Sequence, residues 1–186
     1  RALAIMAIRG PREEIAVAGQ DKITKTDSDA VCRRLAEDLK RQNPAVSVVL
    51  LHPSALSVFP EKAIEGIEAV FGPEVPILGG LSTDNMRFAS DFQFVGDRIL
   101  EQGVVAVGFA DPSIEVMMKA NHGFNVVGDP LIVTRAEAHR IIELDGKPAW
   151  TRWTECLGLP PTAAFLEVGP VPFARELPEE LQGEYD

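Results

Sequence analysis

Val31, Leu35 and Leu39 recur at four-residue intervals with Cys32 and Ala36 beside them, which lays one apolar stripe along a helix. Thr26-Asp27-Ser28-Asp29 fits a capping box at its start, Thr26 bonding orphan amides while Asp29 reaches back. Asn43-Pro44 ends it, because proline disfavours helical geometry in the residue before it. Ahead of this helix, the apolar residues 1–10 read as a first strand, and residues 20–28 as a polar connection. The β-rich run at residues 46–51 predicts a buried strand. His52-Pro53-Ser54-Ala55-Leu56-Ser57 makes a loop, and Pro60 opens a second helix that Ile64, Ile67 and Phe71 continue until Gly72-Pro73. Val75-Pro76-Ile77-Leu78 is a third strand, ending at Gly79-Gly80. Strands alternating with helices favour parallel pairing through right-handed crossovers.

The second half changes period. Residues 88–95, 98–109 and 114–120 are strand-like, separated by short turns at Gly96-Asp97 and Asp111-Pro112-Ser113, the signal of antiparallel hairpins. Residues 131–134 and 139–144 follow, then the turn Asp145-Gly146. Residues 148–157 predict a helix with Trp150 and Trp153 on one side. Residues 176–186 carry five acids and two leucines without a period, and read as a solvated linker or frayed end. The expected class is mixed α/β, a β-α-β-α-β parallel first half followed by an antiparallel meander, with helices packed on the sheet.

Charge narrows the partners. Lys plus Arg number 18 against 28 Asp plus Glu, a formal charge of −10 that repels phosphate backbones and anionic lipid. No nucleic-acid partner is expected. The longest apolar runs, residues 46–51 and 103–110, fall well short of the ~20 residues a bilayer span needs, so no membrane insertion is expected either. Cys32 and Cys156 form neither a disulfide framework nor a CxxC pair, which suits a reducing, cytoplasmic setting. The 186 residues suffice for one domain or two small ones, and the first residue is not Met, as in a trimmed chain.

Candidate chemistry gathers after the third strand, where open α/β sheets collect ligands at the carboxyl ends of their strands. Gly79 and Gly80 let backbone amides approach a ligand, and Ser82, Thr83 and Asn85 can orient it. Arg87 offers a bidentate fork for a carboxylate, or else pairs at the surface with Asp84 or Asp91. The plain alternative for the glycines is a turn needing positive φ. There is no GxxxxGK[ST] and no GxGxxG. Of the histidines, His139 reads as a rim residue, while His52 at a strand end and His122 beside Gly123 are candidate ligand or switch groups. No HExxH exists, so no metal site is expected. Ser54 and Ser57 lie near His52, but there is no GxSxG elbow and no assembled triad, so catalysis is unsupported. In so acidic a chain Asp84, Asp91 and Asp97 carry little information. Trp150 and Trp153 read as core or interface.

Several stretches together resemble the amino-terminal domain of the FIST family (F-box and intracellular signal transduction proteins), bacterial forms included. They are Asp29-Ala30 opening the helix, Pro44 before the strand, Val75-Pro76-Ile77-Leu78-Gly79-Gly80, Phe92-Gln93-Phe94, and residues 103–109. His122-Gly123-Phe124, Gly128-Asp129-Pro130 and Val133-Thr134-Arg135-Ala136 follow. Glu143-Leu144-Asp145-Gly146-Lys147-Pro148-Ala149 and Cys156-Leu157-Gly158-Leu159 close the series. The resemblance implies a non-enzymatic sensory domain over residues 1–165, with residues 166–186 an acidic linker or the start of a truncated carboxyl-terminal domain. It implies a small-molecule ligand, an amino acid or related metabolite. Candidate ligand residues are Gly79, Gly80, Ser82, Asn85, Arg87 and His122, and residues 79–88 and 123–130 are the candidate moving segments. Partners would be a carboxyl-terminal FIST-type domain or a signalling output protein such as a kinase, cyclase or chemoreceptor; a homo-oligomer is compatible. No cofactor is expected. One alternative is a haem-based nitric-oxide sensor using His52 or His122, as in some relatives. Another is an interaction module that docks a second domain or subunit through Trp150 and Trp153.

Overall fold

The computed structural model describes residues 9–118, 125–126, 128–137, 140–169 and 171–174. The chain forms two compact units, Arg1–Met118 and Lys119–Asp186.

The first unit is a four-stranded sheet with two helices and a hairpin. Strand β1 (Ile15–Gln20) leads through a 3-10 turn to helix α1 (Ser28–Gln42) and strand β2 (Val48–Pro53). Helix α2 (Pro60–Phe71) and strand β3 (Ile77–Gly79) follow, then β4 (Phe92–Val95), β5 (Arg98–Glu101) and β6 (Val104–Phe109). The sheet order is β1-β6-β2-β3. Strands β2 and β3 pair in parallel, and β6 pairs antiparallel with both β1 and β2. So β1, β2 and β3 run the same way, but the last strand is inserted between the first two, where the sequence suggested a meander after the parallel half.

Burial explains the insertion. Residues 103–106 are all buried, which is the pattern of a central strand and not of an edge. Alternate residues Ala16, Ala18, Val49, Leu51, Val104 and Ala106 face Val31, Leu35, Ala36, Leu39, Ala63 and Ile67 in one core. The helical periods named above therefore select the buried stripe of each helix, with Val31, Cys32, Leu35, Ala36 and Leu39 all buried on α1.

Three local expectations are corrected. The described first strand is Ile15–Gln20; residues 1–8 of the expected strand lie outside the described residues, and Arg9 and Gly10 are not in a strand. The capping box is set earlier, with the Thr24 amide donating to Asp27 Oδ1 at 2.8 Å, while Asp29 pairs with Arg33 one turn on. Ile114–Met118 carries no strand pairing, because Asp111 turns the chain by accepting from the Ser113 amide and hydroxyl; residues 119–120 lie outside the described residues.

In the second unit, β7 (Val133–Glu137), β8 (Arg140–Leu144) and β9 (Lys147–Pro148) form an antiparallel sheet in that order. Asp145 and Gly146 both take positive φ, 51° and 75°, as a two-residue hairpin turn requires. Helix α3 (Ala149–Cys156) and the short α4 (Phe165–Val168) complete it. Trp150 donates to the Pro161 carbonyl at 2.9 Å, and Trp153 packs against Phe173 with ring centres 4.2 Å apart. Both tryptophans are half-buried within this unit. Residues 175–186, with the acidic tail, lie outside the described residues.

Candidate functional site

The site is built on the segment that leaves β3. Gly79 has φ +143°, and a Cβ there would run into the Leu51 carbonyl, so glycine is what lets β3 close against β2. The His52 Nδ1–H donates to the Gly80 carbonyl at 3.2 Å. Ser82 then bridges to Ser54 in parallel pairing, its amide donating to the Pro53 carbonyl at 2.9 Å.

Asp84 organises the next turn. Its Oδ1 accepts from the amides of Arg87 and Phe88, both at 3.0 Å; its Oδ2 accepts from Ala89 at 2.6 Å and Ser90 at 3.3 Å. These amides, Ala89's foremost, hold its carboxyl below the usual aspartate value of 3.8. The loop bends tightly enough that Asn85, Met86 and Phe88 take positive φ of 60°, 63° and 54°. Four amide bonds to one side chain offset that strain.

Beneath the loop lies a buried polar network. The Ser54 hydroxyl donates to Asp91 Oδ2 at 2.8 Å, and accepts from the amides of Leu56 and Ser57 at 3.1 Å each. The Gln93 amide group reaches both Ser82 Oγ and Asp91, and its carbonyl accepts from the Gly103 amide at 2.9 Å. Ser54, Asp91 and Gln93 are all buried. The network ties the end of β2, the loop and the start of β4 together.

Outward from it opens a recess of about 450 Å³, whose walls include Thr83, Arg87, Ser90, Phe92 and Phe94. Arg87 enters it with its backbone fixed by Asp84; among the described residues its guanidinium makes no ion pair or hydrogen bond. Neither Asp84 nor Asp91 pairs with it. Because β4 alternates, Gln93 points inward while Phe92 and Phe94 point out, 49% and 68% exposed.

A second, apolar recess of about 210 Å³ lies between α2 and β3, lined by Leu51, Pro53, Ile64, Ile77, Gly79 and Leu81 among others. It is smaller than the roughly 300–1,000 Å³ of typical small-molecule pockets. His52 is exposed, its Nδ1–H is held by the Gly80 carbonyl, and it lines neither recess. His122 and His139 lie outside the described residues, as do Gly123 and Phe124.

The structure thus separates the sequence-predicted residues. Arg87 lines the larger recess, Gly79 and Gly80 line the smaller one, Ser82 is spent on Pro53 and Gln93, and Asn85 sits exposed in the turn. Asp84, Asp91, Ser54 and Gln93 were not singled out as site residues, yet they build the loop. The readable signal was an Asp followed within six residues by the amides it caps. Ser54 Oγ is buried against Asp91, and among the described residues no histidine meets Ser54, Ser57 or Ser82. No group of three or more His, Cys, Asp or Glu side chains suited to a metal occurs among them. Nor is any helix among them long and apolar enough to cross a membrane.

The chain belongs to the FIST family: the FIST N domain matches residues 1–147. This is a sensory family of signal transduction, non-catalytic in character. The chain is also similar to an uncharacterized protein of Methanocaldococcus jannaschii, 31% identical over 83 residues, which is 45% of this chain and 16% of that protein. The matched stretch therefore spans about one-sixth of that relative's length. No solved structure matches the chain.

Proposed function

We propose that the recess beside the Asp84 loop is the ligand site of a sensory input domain, and that its ligand is an amino acid or related small acid. The observation that carries this reading is Arg87. A guanidinium with no protein partner among the described residues lines a recess of ligand size, while Asp84 fixes its backbone. Such a fork binds a carboxylate through two parallel hydrogen bonds.

The mechanism needs a ligand that distinguishes two states of the loop, since a ligand shifts an equilibrium only by its differential affinity. Closure of residues 83–90 over the ligand would pull on Ser82 and Asp91, and through them on the ends of β2 and β4. The change would pass to a carboxyl-terminal domain or a separate signalling protein. A thermal-shift panel of amino acids and small acids tests this. A ligand at ~100 times its dissociation constant adds ~2.7 kcal/mol, a rise of roughly 5–11 °C for a chain of this length. Arg87→Gln should abolish the rise. A panel without response, or a response that Arg87→Gln leaves intact, removes the support for this site; a coloured protein whose near-ultraviolet band shifts with nitric oxide would favour haem instead.

A further inference from the structure

We propose that the ligand carries an aromatic side group, which seats on Phe92 and Phe94 while Arg87 holds the acid end. This rests on the recess being the ligand site, and adds the class of side group it selects. The outward face of β4 presents Phe92 and Phe94 two residues apart, both lining the recess that Arg87 enters. Among the described residues neither ring stacks on another aromatic ring or under a cation. Across the hairpin Phe94 pairs with Ile99, itself 67% exposed, so the apolar wall continues past the rim. An apolar wall beside an unpaired guanidinium is a composition that suits a ligand with one apolar and one acidic end.

The strand is stiff where it needs to be. Gln93, between the two rings, is buried and bonded to Ser82, Asp91 and Gly103, so the backbone that carries both phenylalanines is anchored from below. Two rings carried side by side on an anchored strand favour a partner ring in an offset or edge-to-face arrangement, which an aliphatic group of similar size cannot supply. The preference this adds is about tenfold in affinity.

Calorimetric titration of the 186-residue chain with L-phenylalanine, L-tyrosine and L-leucine tests it. The two aromatic amino acids should bind about tenfold more tightly than L-leucine. Phe94→Leu, and Phe92→Leu as a second variant, should each narrow the gap between L-phenylalanine and L-leucine. Arg87→Gln should weaken all three. If L-leucine binds as tightly as L-phenylalanine, or the aromatic preference survives undiminished in both leucine variants, the aromatic inference is overturned while the Arg87-dependent site stands. If none of the three binds, the aromatic inference falls while the wider panel still decides the Arg87 site; if binding ignores Arg87→Gln, both fall.

Discussion

The Ser54 hydroxyl donates to Asp91 Oδ2 at 2.8 Å across 37 positions of sequence, and the same oxygen accepts two backbone amides. One side chain therefore closes the turn after β2 and anchors the segment that enters β4. Its removal leaves the buried Asp91 short of a donor and the amides of Leu56 and Ser57 short of an acceptor. Ser54→Ala should cost about 2 kcal/mol, since unsatisfied buried groups carry their full desolvation penalty. That corresponds to a melting shift of roughly 4–8 °C at this chain length. A loss below about 0.5 kcal/mol would mean that water replaces the hydroxyl and that Ser54 does not hold the network.

Asp84 gives the loop an acid limit. Its carboxyl lies below 3.8 in the folded chain because of the amide bonds, chiefly Ala89's. A depressed carboxyl contributes stability that is fully present above its unfolded value and lost as pH falls through the folded one. Wild type and Asp84→Ala should therefore differ in loop protection at pH 7, and the difference should begin to shrink only as the pH falls below 3.8. Amide hydrogen exchange at Arg87, Phe88, Ala89 and Ser90 reads this directly. A difference that persists unchanged to the lowest pH would show that the charge is irrelevant to the turn.

The two thiols should react very differently. Burial, with the charges of Asp29 and Asp27, pushes the Cys32 thiol up to about 12, and its side chain has no accessible surface. Cys156 is exposed, with the Arg152 guanidinium 3.0 Å from its sulfur. At pH 8 the folded chain should take one equivalent of iodoacetamide, at Cys156, and two after unfolding. Rapid labelling of Cys32 in the folded chain would mean that the α1–sheet core opens readily.

Much of the fold was legible because its helices bury one stripe each. Val31, Leu35 and Leu39 announce α1, Pro60 and Gly72-Pro73 bracket α2, and Asp145-Gly146 marks the hairpin that joins β8 to β9. Strand β1 was not legible: Ile15–Gln20 is a short run of small residues, overshadowed by the more apolar residues 1–10. The insertion of β6 between β1 and β2 is a long-range pairing, and no local pattern encodes which strand will be its neighbour. At the site, Arg87 could be named from its chemistry. The roles of Asp84 and Asp91 could not, because carboxylates abound in this chain and only burial and hydrogen bonding distinguish these two. The aromatic strand was visible as a strand; that its phenylalanines face outward depends on Gln93 being drawn into the network below.

The most direct measurement is amide chemical-shift mapping of the isotope-labelled chain during titration with L-phenylalanine. Ligand binding at the Asp84 loop predicts saturable shifts centred on Arg87, Phe88, Ala89, Ser90, Phe92 and Phe94, weakened by Arg87→Gln. Shifts confined to residues of the smaller recess such as Ile64 and Leu81, or to the second unit, would place the ligand elsewhere and contradict the proposed site.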